Sequence, residues 1–418
     1  MKPRAVFSIL FSVLIVVLAM LLISNHMGEF GTRKLSDGTL EIMKYRGRAS
    51  EITIPAEING VAVTRIGYGA FRGRRGRQLT SIVIPGSITH IGDQAFYGNE
   101  LTSVIIPDSV IHIGWQAFNF NRLASLTIGS GVIHIDAGAF ANNQLASIDI
   151  PDNVTYIGGS AFGSNRLTSV TIGNGVTNIG NSAFWGNRVT SLTLGSSVVN
   201  ITAHAFRNNR IPSVVIPDSV KYIGAGAFWG NQMTSLTLGS NVVEIGRGAF
   251  QQNEIPSVVI PDSVRYIHHQ AFLGNELISL SIGAGVVYIG QLAFASNQLT
   301  SVVIPDNVIW FGRGAFRNNQ LSSVEIGSGL RVIGGMAFWR SGRGISESQL
   351  PISDININEG GRRMAEGRRF HELYNMGSCW DTMYVLETVA VDEFGDLYGW
   401  VQSKEITWDD IFNGYEND

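Results

Sequence analysis

Cysteine is nearly absent: Cys379 is the single one among 418 residues, so no internal disulfide can form. A lone Cys is most simply a small hydrophobe. A thiol nucleophile needs a His partner and an oxyanion site. His371 lies eight residues upstream of Cys379, and nothing else around it resembles such a site. Charge is also scarce, with 15% of residues Asp, Glu, Lys or Arg, where about a quarter is usual. Low charge combined with 44% hydrophobic residues excludes a disordered chain. The net charge of −3 implies no polybasic or polyacidic partner for the chain as a whole. Motifs that carry chemistry are missing too. Gly67-Tyr68-Gly69 and Gly224-Ala225-Gly226 resemble nucleotide-binding glycines only superficially, without a phosphate-loop Lys. No zinc motif and no Gly-x-Ser-x-Gly elbow occurs. These absences point to a protein that is not an enzyme, with no cofactor, no metal and no small-molecule substrate. Arg72, Arg74, Arg75 and Arg77 make one basic loop, weak ground for nucleic-acid binding on a neutral chain.

What the chain has in excess is Gly, 49 residues of it, and repetition. An Ala-Phe pair recurs at Phe96, Phe118, Phe140, Phe162, Phe184, Phe206, Phe228, Phe250, Phe272, Phe294, Phe316 and Phe338, every step being 22 residues. Phe71 is an earlier copy, displaced by three extra residues near the basic loop. An Asn stands three residues after the Phe in eleven consecutive copies: Asn99, Asn121, Asn143, Asn165 and onward to Asn319. The unit 101–122 carries apolar residues at Leu101, Val104, Ile106, Val110, Ile113, Ala117 and Phe118, and these positions recur. Leu-x-x-Val-x-Ile at a period of 20–29 residues is a leucine-rich-repeat strand signature. A solenoid of about 13 coils is expected. Its strands would hydrogen-bond from coil to coil about 4.8 Å apart, and no coil could bury its apolar side alone.

Each recurrent position has a structural reading. The Phe rings would form an internal spine, and the Asn amides would satisfy backbone groups in the turns. Gly after the conserved Ile serves positive φ or close packing. Pro107, Pro151, Pro217, Pro261 and Pro305 end the strand, since Pro cannot donate to a ladder. Gly129, Gly173, Gly195, Gly239, Gly283 and Gly327 take that place elsewhere. The near alternation suggests a duplicated 44-residue unit.

The stretch Ile-Pro-Asp-Ser-Val-x-x-Ile-Gly-x-x-Ala-Phe closely resembles the BspA-like class of leucine-rich repeats. Residues 50–71 resemble the first unit of such arrays, and the likeness runs over roughly 37 to 340. The resemblance implies a bacterial or protist surface protein that binds host matrix or other cells. It defines a scaffold rather than one ligand.

Export is expected on separate grounds. Lys2 and Arg4 precede an uncharged apolar run from Ala5 to Ile23. About twenty apolar residues span a bilayer, and positive charge ahead of the run favours export of the chain beyond it. The segment 1–27 reads as a cleaved signal peptide or a retained anchor. The long run and the absence of a clean cleavage site favour the anchor.

Within the array, the expected ligand surface is a second-leg ladder: His90, His112, His134, Tyr156, Asn178, Asn200, Tyr222, Glu244, Tyr266, Tyr288 and Trp310. Aromatic rows offer contact area at low entropic cost. The alternative for this row is packing against the adjacent leg. A metal site on its three His lacks a carboxylate at that position. Trp185 and Trp229 extend the candidates on another edge, near Arg207 and Arg317. The fixed Ser row, Ser81 to Ser323, reads as small residues that let curved strands approach. The domain plan is 28–78 cap and first repeat, 79–340 solenoid, 341–369 linker, and 370–418 an acidic cap or small β module. From 341 onward stand 15 acidic and 6 basic residues. Within the last segment, Met383 to Val391 and Leu397 to Gln402 read as a strand pair. Glu405, Asp409 and Asp410 lack calcium-loop spacing. The function implied is an adhesin-type surface protein that meets a protein or glycan on another cell, matrix or surface. The alternatives are a structural coat or spacer, or an enzyme acting through 370–418.

Overall fold

The computed structural model describes residues 27–341, apart from 75 and 77, and the backbone of six short strands between 356 and 406. The apolar run at 5–23, the basic-loop members Arg75 and Arg77, and Cys379, His371, Asp409 and Asp410 lie outside the described residues. Among the described residues, no helix is long and apolar enough to cross a membrane.

Each repeat forms one coil with two strand legs. The first leg is a three- or four-residue strand such as Ser103–Ile105, and the second is a two-residue strand such as His112–Ile113. Alternation along each leg sends one residue inward and the next outward. Leu101, Val104, Ile106, Val110, Ile113, Ala117 and Phe118 are all buried. Equivalent residues of successive coils touch, so the Phe spine runs the length of the array. From Phe71 to Phe338 neighbouring rings sit 4.9–5.8 Å apart and within 15° of parallel. At the N-terminal end the strand Phe30–Lys34 pairs antiparallel with Leu40–Tyr45, which pairs parallel with Val61–Ile66. Tyr45 stacks on Phe71 at 5.7 Å and closes the spine.

The Asn column does what its spacing suggested. Asn187 Nδ2 donates to the Phe162 and Phe184 carbonyls at 3.0 Å each, and its Oδ1 accepts from the Leu167 amide at 3.0 Å. The same arrangement recurs down to Asn319. Every such amide is buried, so the turns between coils keep their backbone groups satisfied without a ladder partner.

One expectation needs correction, and one open alternative is decided. First, the continuous ladder is the second leg, not the first. Parallel pairing runs unbroken from Val61–Ile66 through His90–Ile91 and on to Val332–Gly334. It continues into Asn356–Asn358, inside the stretch read as linker. First-leg strands pair only in twos and threes. Each interruption falls before a strand that ends in Pro107, Pro151, Pro217, Pro261 or Pro305. Gly327 N–H donates to the Ile304 carbonyl of the preceding coil. A Pro at the same place has no N–H to offer. The strand ahead of Pro85 keeps its pairing to Glu51–Thr53. Second, the Gly after the conserved Ile serves close packing alone. A Cβ on Gly180 would sit 2.6 Å from the Gly158 backbone. The positive φ lies two residues further on, at Gln94, Gln116, Ser160, Ser182, His204, Gln270, Leu292 and Met336 among others.

The Gly of the Gly coils is equally forced. A Cβ on Gly283 would meet the Pro261 carbonyl carbon and oxygen at 2.5 Å. The Asp that comes after each Pro receives the next turn: Asp108 Oδ1 accepts from Ser130 N–H at 2.7 Å, and Asp218 Oδ1 from Ser240 N–H at 2.7 Å.

Asn187→Ala leaves the buried Leu167 N–H unpaired, while the Phe162 and Phe184 carbonyls keep Asn165 and Asn209 as donors, and is expected to lower stability by about 2 kcal/mol in urea unfolding. Gly283→Ala is expected to cost about 2 kcal/mol or more. Gly86→Ala, where an added Cβ meets nothing within 4 Å, stays within about 0.5 kcal/mol. Equal effects of the two Gly substitutions would contradict the close-approach explanation.

Candidate binding surface

The second-leg ladder places one outward side chain per coil beside its counterpart in the next. His90 pairs with His112, His112 with His134, and His134 with Tyr156 in strict register. Asn178 and Asn200 come next, joined amide to amide. Tyr222, Glu244, Tyr266, Tyr288 and Trp310 complete the row. Tyr156 and Tyr222 are exposed, 39% and 46%, while His112, Tyr266 and Trp310 are half-covered. Tyr288 is 7% exposed. This corrects its place among surface candidates. It stacks on Trp310 at 4.6 Å and 4°, and its hydroxyl meets His269 Nε2 at 3.2 Å. Tyr288 therefore supports the Trp310 ring from beneath. A continuous run of rings results: Tyr266, His268, Tyr288, Trp310, with the first two steps at 6.4 and 5.9 Å.

Ion pairs along this face were not visible in the ladder itself. His112 Nε2 lies 2.9 Å from Asp136 Oδ2, and His268 Nε2 lies 2.9 Å from Glu244 Oε1. Asp136 and His268 both stand where most coils have the Gly after Ile. The third such exception, Thr202, donates to the Ile179 carbonyl at 2.8 Å. A side chain at this position reaches back one coil, and three gaps in a Gly column were the signal for it. Asp136 thus meets His112 from outside the ladder position. Among the described residues no group of three or more His, Cys, Asp or Glu gathers around one point. The Glu244 carboxyl is held below its ordinary range by the His268 hydrogen bond. His269 is pushed down to about 4, chiefly by burial, with His268 and Arg247 adding repulsion. Its Nδ1 accepts from the Gln291 N–H at 3.2 Å.

The other edge is more closed than its sequence suggested. Arg207 lies 3.9 Å over the Trp229 ring, and Trp229 Nε1 donates to Gln252 Oε1 at 2.7 Å. Arg317 and Arg340 cover Trp339 in the same way. Trp185 is exposed, at 41%. On the first leg the Ser row faces solvent. Ile105, Val215, Val259 and Val303 stand beside it, 58–69% exposed.

The profile of the BspA type leucine rich repeat region, six copies long, matches this chain over 64–189, 134–255, 177–298 and 243–360. The chain belongs to the BspA-type leucine-rich-repeat family. A leucine-rich repeat protein from Bacteroides ovatus is 25% identical, with 75% of this chain and 91% of that one covered at a TM-score of 0.49. A leucine-rich cell surface protein from Faecalibacterium prausnitzii is 22% identical over 79% of this chain and 94% of its own, TM-score 0.41. The pneumococcal vaccine antigen PcpA is 20% identical over 74% and 79%, TM-score 0.36. No curated protein matches the chain. Family membership agrees with the two-legged coil and with the recurrent Phe, Asn and Gly positions.

His269 makes stability depend on pH. Its folded pKa is depressed, so the unfolded chain binds more protons between about pH 4 and 6.5. Stability is full above about 6.5 and falls as pH drops toward 4, by about 3 kcal/mol from this residue. His269→Asn keeps an acceptor for Gln291 N–H, as Asn181 does for Ala203 N–H. This variant is expected to flatten the pH dependence of urea unfolding across that window. An unchanged slope would show that His269 does not set it.

Proposed function

We propose that this BspA-type chain is an exported binding protein held at the cell surface, whose solenoid grips a protein or glycan on another cell or matrix. The observation that carries this reading is the aromatic run on the second leg. Trp310 lies flat on Tyr288 and in line with Tyr266, at one side chain per coil. Stacked rings held by a rigid sheet lose little entropy on contact, and Trp and Tyr dominate binding energy at interfaces. Tyr222 and Tyr156 continue the row toward the N-terminus. Family membership and the apolar run behind Lys2 and Arg4 support the placement at a surface.

The test is binding of the chain to an array of matrix proteins, bacterial surface proteins and glycans, then of variants to whatever is captured. Tyr222→Ala, Tyr266→Ala and Trp310→Ala are expected to weaken capture, with Trp310→Ala costing about tenfold or more. Ser257→Ala, on the other leg, is expected to leave it unchanged. Loss from Ser257→Ala and none from Trp310→Ala would move the site to the first leg. Silence across the array, with self-assembly in solution, would replace this reading by the coat or spacer role.

A further inference from the structure

The N-terminal end of the solenoid holds a feature that the aromatic face does not use. Between 28 and 78 stand ten Lys and Arg against five Asp and Glu, although the whole chain carries −3. Folding concentrates part of this excess around one cavity of about 230 Å³, between the cap strand and the first turn of the array. Lys44, Arg46 and Arg48 come from the end of the Leu40–Tyr45 strand and the residues after it, and Arg72 and Arg74 from the turn after Phe71. None is adjacent in sequence to the opposite group, so the cluster exists only in the fold.

Among the described residues, none of these five cations belongs to an ion pair. The pairs formed there are Arg33–Glu41, His112–Asp136, Arg122–Glu100 and His268–Glu244. Glu29 is a nearby carboxylate, and it faces the Tyr45 hydroxyl at 3.4 Å. One wall is preset: Arg72 donates to Gln94 Oε1 at 2.9 Å and lies 4.8 Å over the Tyr97 ring. Five cations beside one carboxylate leave a net positive charge, and an anion at their centre relieves the remaining repulsion. Four of the five are Arg, whose planar fork suits two oxygens of a tetrahedral oxyanion. The volume admits one charged group and leaves the body of a larger ligand outside. Tyr68 precedes the lining residue Gly69, is 63% exposed, and donates its hydroxyl at 3.1 Å to the same Gln94 Oε1 that accepts from Arg72. A fixed, open aromatic ring beside an anion pocket suits the apolar face of a sugar.

We propose that this cavity binds the sulfate group of an acidic glycan, with Arg46, Arg48, Arg72 and Arg74 holding the oxyanion and Tyr68 stacking on the sugar beside it. The site stands independently of the aromatic ladder, and either can fail alone.

The experiment uses the full chain and heparin as probe, with fully desulfated heparin, free inorganic sulfate and duplex DNA as further arms. Heparin is expected to bind and to be released by rising salt, as exposed charges are screened. Inorganic sulfate competes weakly, and desulfated heparin does not bind. The triple variant Arg46→Gln, Arg48→Gln and Arg74→Gln is expected to lose affinity about tenfold or more. Arg166→Gln, Arg188→Gln and Arg210→Gln together remove equal charge from mid-array and are expected to change it by less than about twofold. Melting curves of both variants confirm folding, and Tyr68→Ala supplies a second reading with an expected loss of about threefold or more. Equal losses from the two triple variants would overturn the proposal, since binding would then be diffuse charge attraction. So would unchanged binding by the first, capture of desulfated heparin as tightly as heparin, or DNA bound as tightly as heparin.

Discussion

In a parallel ladder with a 22-residue repeat, each residue meets its own counterpart one coil away, and this constraint governs the rest of the molecule. Whatever occupies a position must tolerate a copy of itself about 5 Å along the axis. Phe satisfies this by offset stacking, Asn by passing hydrogen bonds from one coil to the next, and Ile and Val by close apolar contact. Charges satisfy it poorly, because like would face like. The low charge content of the chain is therefore a consequence of the architecture. Where charges do enter the second leg, as at Glu244 and His112, a partner of opposite character reaches back from the following coil.

The same constraint explains why Gly and Pro take turns. A Pro coil gives up the N–H that would bind it to the coil before, and the first-leg sheet breaks there. The following Gly coil approaches so closely that a Cβ would overlap the Pro carbonyl. The first leg is thus a string of short sheets, while the second leg runs without a break. Stiffness along the array comes from the second leg, together with the Phe spine and the Asn bonds. That is also the leg on which the aromatic row is displayed. A row of rings on an uninterrupted sheet holds its spacing, which an extended partner can match over several coils.

Most of the fold was legible because solenoid contacts are local in the repeat: the partner of any residue is one period away. The period, the inward positions, the Phe spine and the Asn role all rest on that. The Asp136 and His268 contacts were encoded as gaps in the Gly column, but their meaning depends on how far a side chain at that place reaches. The burial of Tyr288 was hidden for the same reason, since its neighbours His269 and Trp310 come from different coils. Which leg carries the continuous sheet could not be read either. Both legs have strand composition, and the decision rests on hydrogen-bond donors that Pro removes from one of them.

By itself, then, the sequence determined a 22-residue coil, its core and its two outward rows, because periodicity and side-chain alternation suffice for those. The tertiary structure alone decided which rings stay open, which cations gather at the N-terminal cavity, and which leg is unbroken. Those outcomes depend on distances between residues of different coils and of the cap, set by the close stacking of backbones rather than by the order of residues along the chain.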